Sequence, residues 1–256
     1  MNGFAAFLSK ELIQTVRSMR LLIVVAVFLL LGLMNAPLAK FTPQILEMTG
    51  IGDLSGALSL ADPQAFDAWV QFFGNVGQMG ILVILLICGS TLSGEKSKGT
   101  LILPLTKGLG RSGVILIKFL TISALWTVSV LVAALSSWFY TVLLFPDSGV
   151  EYLVLTIALL WLFGEFLLAM IPLSSVLFKG SMGGLIVPGG VLFLVLVMSA
   201  FPDLLFWNPM LLGTNGIMLM IGTKVPIDFL APSLVAIGAI VGALAAALLR
   251  FRKIEL

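Results

Sequence analysis

The chain has 256 residues, of which 60% are hydrophobic and 10% are charged, and its mean hydropathy is +1.18. An ordinary soluble domain carries about 25% charged residues, so this composition excludes a soluble globular fold and predicts helices embedded in a lipid bilayer. The net charge of +2 gives no indication of a nucleic-acid partner. With no histidine and a single cysteine, Cys88, the sequence excludes a Ser–His or Cys–His catalytic pair and an intrachain disulfide.

The first 20 residues precede the first long apolar run. Lys10, Gln14 and Arg17 lie largely off a stripe of six apolar residues that recur here at helical spacing: Phe4, Phe7, Leu8, Leu12, Val16 and Met19. We predict an amphipathic helix over residues 3–20 that lies in the cytoplasmic interface, with Lys10, Glu11, Arg17 and Arg20 as its charged residues. The alternative is a simple helical extension of the first span.

Six apolar runs approach the roughly 20 residues that a helix needs to cross the hydrocarbon core. We therefore predict an all-α integral membrane protein with six transmembrane helices in one domain, residues 1–256. The predicted spans are residues 21–36, 69–92, 114–144, 152–178, 183–201 and 231–250. The first of these runs is short and has room to extend past Pro37.

The basic residues indicate the orientation of these spans. Of the 14 lysines and arginines, only Lys40 and Lys224 fall on the side opposite the chain ends. Because positively charged loops stay preferentially in the cytoplasm, we predict a plasma-membrane protein with both termini cytoplasmic.

Two outer segments do not read as spans. Residues 37–68 are rich in Gly, Pro and Asp, and we expect short surface helices at the apolar patches 45–48 and 54–60. Residues 202–230 are apolar in part but are interrupted by Pro209 and by three glycines. A broken stretch of this kind predicts re-entrant or interfacial helices before the last span.

Two features inside the spans invite a functional interpretation. Glu165 is the only ionisable residue well inside a predicted span. It is either a substrate or proton contact, or a protonated or hydrogen-bonded glutamate that holds helices together. Small residues, Gly238 with Gly242 and the glycines around Pro188, permit close helix approach, and we expect packing within the chain rather than a dimer seam.

The connection between spans two and three, residues 93–112, is the longest and most basic one on the predicted cytoplasmic side. It contains no G-x-x-x-x-G-K-[ST] phosphate cradle, and none occurs elsewhere in the chain. Its charges alone are explained by topology and contact with anionic lipid. Its apolar middle, residues 100–106, favours a docking element for a cytoplasmic partner.

At this connection the chain resembles the type-2 permease subunits of ABC transporters. Those permeases often carry a Glu, then Gly-Thr-Leu, then Pro-x-[Ser/Thr]-[Arg/Lys], then a Lys that enters the next span. The residues that match this pattern here are Glu95, Gly99, Thr100, Leu101, Pro104, Thr106, Lys107 and Lys118. The opening Lys10-Glu11-Leu12 and the Gly32 and Pro37 pair at the first span fit as well. Ile117, where many members have Gly, and a longer stretch from Pro104 to Lys118 depart from the pattern.

The resemblance implies an ATP-driven exporter in which this chain forms the pathway. A coupling helix after span two would dock a separate ABC ATPase subunit, through Glu95, Lys96, Lys98, Gly99, Thr100, Leu101, Pro104, Thr106 and Lys107. ATP and Mg would bind that partner, and a second permease subunit, identical or related, would complete the transporter. We expect no catalytic residue, cofactor or metal on this chain, which contacts membrane lipid and its protein partners.

Two other functions are compatible with the sequence. One is an ion- or proton-coupled carrier centred on Glu165. The other is a membrane scaffold or immunity-type protein that transports nothing. The sequence indicates neither the substrate nor whether the permease pairs with itself.

Overall fold

The computed structural model describes residues 3–48, 63–97, 110–145, 149–178, 180 and 182–252. Within these ranges the chain consists of helices and turns and has no strand, which confirms the predicted all-α membrane fold. Five helical segments in the described part of the chain are long and apolar enough to cross a membrane: Arg20–Thr42, Ala65–Ser97, Ser112–Leu144, Leu153–Leu177 and Pro226–Phe251. We call these spans one, two, three, four and six, in the numbering of the predicted arrangement.

The predicted span five is a shorter apolar helix, Gly183–Met198. It begins with a 3-10 turn, Gly183–Leu185, and continues as an α-helix, Ile186–Met198. Since a crossing helix needs about 17 to 25 residues, this helix is at the lower limit and the count of six stays a prediction.

Span one is longer than predicted, because its helix runs from Arg20 to Met48. The helix therefore extends past Pro37, for which the short first run left room, and residues 45–48 are its last turn instead of the separate surface helix that the sequence predicted. Pro37 lies inside the helix. A proline removes one backbone hydrogen bond, but in an apolar environment the remaining backbone groups still satisfy each other best in a helix. The other predicted surface patch, residues 54–60, lies outside the described residues.

Span two is a succession of helices with one irregularity near its middle. The α-helix Ala65–Gly74 is followed by a π turn, Asn75–Gly80, and then by the helices Ile81–Gly89 and Thr91–Ser97. Span three is a single helix, Arg111–Leu144. Span four comprises Leu153–Leu168 and Met170–Leu177, and span six is the helix Leu230–Arg252, preceded by a 3-10 turn, Pro226–Phe229.

The N-terminal helix, Gly3–Arg17, is separated from span one by a break at Ser18 and Met19. Met19 has a φ of 60°, in the left-handed region, so the chain changes direction there. The alternative of a simple extension of span one is therefore wrong. The helix turns Phe7 and Glu11 inward and leaves Leu12 and Val16 exposed, so only part of the predicted apolar stripe packs on the protein.

The segment before span six forms three short helices, Pro202–Leu205, Met210–Thr214 and Ile217–Met220. None is long enough to cross a bilayer, as predicted. Buried Asn208 ties the segment to the end of span five, because its Nδ2 donates to the Val195 carbonyl at 2.8 Å and to Ser199 Oγ at 3.0 Å.

Span four is the centre of the bundle. In the most apolar 18-residue stretch of span four, 67% of the residues are buried, whereas the corresponding figures are 28% for span one and 22% for span six. The main core gathers large side chains from spans one to four, including Phe28, Trp69, Trp126, Phe163 and Leu167. Spans one and six therefore lie at the periphery of a single subunit.

The small residues behave in two ways. A Cβ at Gly184 would overlap the Gly89 carbonyl of span two, so this glycine permits the close approach that the sequence predicts. A Cβ at Gly238 or Gly242 would meet nothing within 4 Å, and the same holds at Gly189 and Gly190. The expectation that the span-six pair packs within the chain is therefore wrong, because that face of the peripheral helix is open.

Candidate functional site

Lys118 lies at the start of span three and is only 3% exposed. Its Nζ is 2.6 Å from Glu11 Oε2 of the N-terminal helix and 2.7 Å from Glu95 Oε1 at the end of span two. We call Glu11, Glu95 and Lys118 the ion-pair cluster. It joins three segments that are far apart in the sequence at the basic end of the bundle.

The burial of this cluster makes it energetically important. Burying an ion costs several kcal/mol, which is offset only by close partners with good hydrogen-bond geometry. Lys118 has two such partners, and Glu11 also accepts a hydrogen bond from Lys10 Nζ at 3.0 Å. Lys10 is about half exposed, so its contribution is small.

Lys96, the next residue after Glu95, is directed to span four. Its Nζ donates to the carbonyls of Ser175 at 3.1 Å and Val176 at 3.0 Å, in the last turn of the helix Met170–Leu177. The last carbonyls of a helix lack partners within the helix, and a cation there also interacts favourably with the helix dipole. Glu95 and Lys96 thus connect the helix Thr91–Ser97 with spans three and four, respectively.

A cavity of about 20 Å³ lies beside the ion-pair cluster, under the N-terminal helix. Its polar walls include Gln14, Arg20, Thr91 and Thr121. This volume is enough for about one water molecule and too small for a transported molecule. The cavity therefore belongs to the polar support of the cluster and does not offer a substrate site.

The remaining docking residues predicted from the sequence lie outside the described residues: Lys98, Gly99, Thr100, Leu101, Pro104, Thr106 and Lys107. The helix Thr91–Ser97 leads into this segment, and the described chain resumes at Gly110. Of the charged residues predicted on the N-terminal helix, Lys10 and Arg17 are exposed, Glu11 is buried in the cluster, and Arg20 begins span one.

Sequence reasoning missed how central Lys118 is, although Lys118 matched the family pattern. The signal was present, because Lys118 is a charged residue within an apolar run, and such residues require a partner. The contact of Lys96 with span four had no sequence signal. Its acceptors are backbone carbonyls 79 and 80 residues away.

Glu165, the other candidate, lies in a second polar region between spans three and four. It is 4% exposed, and Ser123 Oγ donates to Glu165 Oε1 at 2.7 Å. One turn away, Trp126 Nε1 donates to the Trp161 carbonyl at 2.9 Å, and Trp161 Nε1 donates to Thr127 Oγ1 at 2.9 Å. These contacts support the interpretation of Glu165 as a residue that holds the two spans together.

Gly164 makes this second region tight. A Cβ there would overlap the indole ring of Trp126, which is fully buried against the glycine. The close approach brings the two helices near enough for their short polar side chains to bond. We call Ser123, Trp126, Thr127, Trp161, Gly164 and Glu165 the mid-span contact.

Comparison with known proteins agrees with this architecture. A family model described as an ABC-2 family transporter protein matches residues 5–256. No curated protein matches the chain. The family match covers nearly the whole chain, and the described residues form several apolar helices of membrane-spanning length. This multi-pass membrane protein therefore belongs to the ABC-2 transporter family and is a transmembrane, non-catalytic component of an ABC transporter.

Proposed function

We propose that this chain forms the translocation pathway of an ATP-driven exporter and that a separate ATPase subunit docks on residues 93–112. The basic end of the bundle, with both termini, is cytoplasmic in this proposal, since most lysines and arginines lie there. ATP and Mg bind the ATPase subunit, and two permease subunits work together with two ATPase subunits.

The observation that carries the proposal is the pair of contacts made by Glu95 and Lys96. Glu95 bonds to Lys118 of span three, and Lys96 bonds to carbonyls at the end of span four. A force applied to the docking segment therefore acts on two spans, and through Glu11 also on the N-terminal helix. A docking segment needs such connections if ATPase closure is to move the membrane helices.

The same contacts suggest how movement is transmitted. Charged hydrogen bonds are strong and short, so they keep helix Thr91–Ser97 in register with its neighbours while the whole group shifts. The mid-span contact then holds spans three and four together deeper in the membrane. We propose that spans three and four move as one body when the docking segment is displaced.

The test uses the full-length chain with its ATPase subunit in detergent and in vesicles. Replacement of residues 100–107 by a neutral Gly/Ser loop of equal length should abolish co-purification of the ATPase. The double variant Glu95→Gln, Lys96→Met should still bind the ATPase subunit. It should no longer stimulate ATP hydrolysis by that subunit when the two are reconstituted together. Lys224→Met, on the opposite side, is the control and should change neither property.

If the loop variant still binds the ATPase subunit and still stimulates its ATP hydrolysis, docking at residues 93–112 is refuted. If the double variant binds the ATPase subunit normally and still stimulates its ATP hydrolysis, transmission through Glu95 and Lys96 is refuted. The two parts of the proposal therefore fail separately.

A further inference from the structure

An apolar groove lies on the surface of the bundle between spans one and three, in the half of the membrane opposite the chain ends. Its volume is about 370 Å³, within the range of about 300–1,000 Å³ that is usual for small-molecule sites. We call it the span-one groove, and its walls are Leu33, Met34, Pro37, Leu38 and Phe41 of span one with Tyr140 of span three. Met34 and Phe41 are 50% and 44% exposed, so the groove is open to the surrounding membrane.

Lys40 indicates how deep the groove lies in the membrane. It is 20 residues beyond Arg20, the first residue of span one, which corresponds to about 30 Å along the helix. The hydrocarbon core is also about 30 Å thick, so Lys40 lies at the headgroup level of one leaflet when Arg20 lies at that of the other. Leu33 is seven residues before Lys40, and the groove therefore extends about 10 Å from the headgroup level into the hydrocarbon.

The ammonium group of Lys40 is available to an anion. Its side chain is exposed, and its Nζ donates to the Leu144 carbonyl at 3.2 Å. In the described part of the chain, no carboxylate oxygen lies within 4 Å of this Nζ. An ammonium group has three donors, so a single carbonyl partner leaves two for other acceptors. A cation at headgroup level beside an apolar groove matches the two parts of a phospholipid, its phosphate and its acyl chain.

Lys224, the other basic residue on this side, gives the contrast. Its Nζ lies 5.8 Å from the centroid of the Phe229 ring in its own segment, and it is not part of the span-one groove. Most other charged residues that the sequence places on this side are acidic, including Asp203 and Asp228. Because this side as a whole repels anions, binding of an anionic lipid here depends on Lys40 and not on the general charge of the surface.

We infer that the span-one groove binds one anionic phospholipid of the leaflet opposite the chain ends. Its phosphate accepts hydrogen bonds from Lys40, and an acyl chain lies along the groove from Phe41 to Leu33. A hydrogen bond between an ammonium and a phosphate is charge-assisted and therefore stronger than one to a neutral carbonyl. Anionic lipids are favoured over zwitterionic ones, because the latter carry a cationic group that competes with Lys40 for the phosphate. The inference goes beyond the proposed function and does not depend on ATPase docking.

The experiment is native mass spectrometry of the purified full-length chain, without the ATPase subunit. The chain is released from detergent that contains equal amounts of phosphatidylglycerol and phosphatidylcholine with the same acyl chains. The unchanged chain should retain phosphatidylglycerol about three- to fivefold better, the preference expected of one partly exposed ion pair. Lys40→Met should abolish this preference, and Lys40→Arg should keep it. Lys224→Met, the same change of charge on the same side, is the matched control and should also keep it.

A second variant tests the groove itself. In Met34→Trp the indole ring fills space beside Pro37, so retention of both lipids should fall. Since Met34 is half exposed, the Tm of this variant in detergent alone should stay close to that of the unchanged chain. Undiminished retention of phosphatidylglycerol by Met34→Trp would show that the acyl chain does not lie in the groove and would overturn the inference.

Two further results contradict the inference. Equal retention of the two lipids by the unchanged chain, or an equal loss of preference in Lys40→Met and Lys224→Met, shows that Lys40 selects no lipid. Oxidative cross-linking of Met34→Cys to a dimer in a Cys88→Ala background shows that a second copy of the chain covers the groove instead. Because the ATPase subunit is absent throughout, failure of the lipid site is distinguishable from failure of ATPase docking.

Discussion

Glu11 and Glu165 are buried to the same extent, at 5% and 4% exposed, but the chain gives them different partners. Glu11 lies at the basic end and pairs with the ammonium group of Lys118 at 2.6 Å. Glu165 lies inside span four and accepts a hydrogen bond from the hydroxyl of Ser123. One glutamate therefore belongs to a buried ionic group, whereas the other belongs to a packed, hydrogen-bonded helix contact.

The difference follows from position in the bundle. At the basic end, a long lysine from span three reaches carboxylates on two other segments, and Lys10 and Lys96 add further charge. In the middle of the bundle the two spans rely on short hydroxyls, indole groups and the tight fit of Gly164 against Trp126. The ion-pair cluster should therefore depend on charge, and the mid-span contact should depend on shape.

The largest expected effect is that of Lys118→Met, which tests the dependence on charge. It leaves Glu11 and Glu95 close together and without their shared cation, and loss of one partner from a buried ionic group costs about 3–5 kcal/mol. Thermal unfolding in detergent should show a clearly lower Tm. Lys10→Met is the matched control, because Lys10 is about half exposed, and it should cost less than about 1 kcal/mol. Equal Tm values for the two variants would contradict a stabilising role of the cluster.

Gly164→Ala tests the dependence on shape. The added Cβ overlaps the Trp126 ring, and overpacking of this kind costs about 1–3 kcal/mol. The same change at Gly238, where a Cβ meets nothing within 4 Å, should be neutral or stabilising by about 0.5–1 kcal/mol, since alanine favours helix over glycine. The comparison of the two Tm values separates packing from helix propensity, and a destabilisation of equal size at both positions would contradict the close contact.

The spans were predictable because the bilayer imposes their composition and length. Among the described residues, each of the six apolar runs contains an apolar helix, and five of these helices are long enough to cross a membrane. The hydropathy left room for span one to extend past Pro37 but did not place the end at Met48, because Pro37 and the polar residues beyond it are typical of a helix end in water. In the apolar environment the backbone hydrogen bonds outweigh this signal.

The site was predictable only in part. The family pattern pointed to Glu95 and Lys118, and the N-terminal helix was expected to carry Glu11. The contact between these residues was not predictable. Glu11 and Lys118 are 107 residues apart, and hydrophobic periodicity carries no information about contacts between helices. The open face at Gly238 and Gly242 was missed for the same reason, since a small-residue pattern does not indicate which helix, if any, it packs against.

The smallest expected effect is that of Glu165→Gln, which is compared with the same change at Glu11. The glutamine Oε1 still accepts from Ser123 Oγ, so the contact between spans three and four should lose less than about 1 kcal/mol. Glu11→Gln, in contrast, removes a charge from the partners of Lys118 and should cost about 1.5–3 kcal/mol. Thermal unfolding of both variants measures the difference, and ATP-dependent transport in vesicles should persist for Glu165→Gln. If that variant folds normally but abolishes transport, Glu165 acts on the transported species in addition to holding spans three and four together.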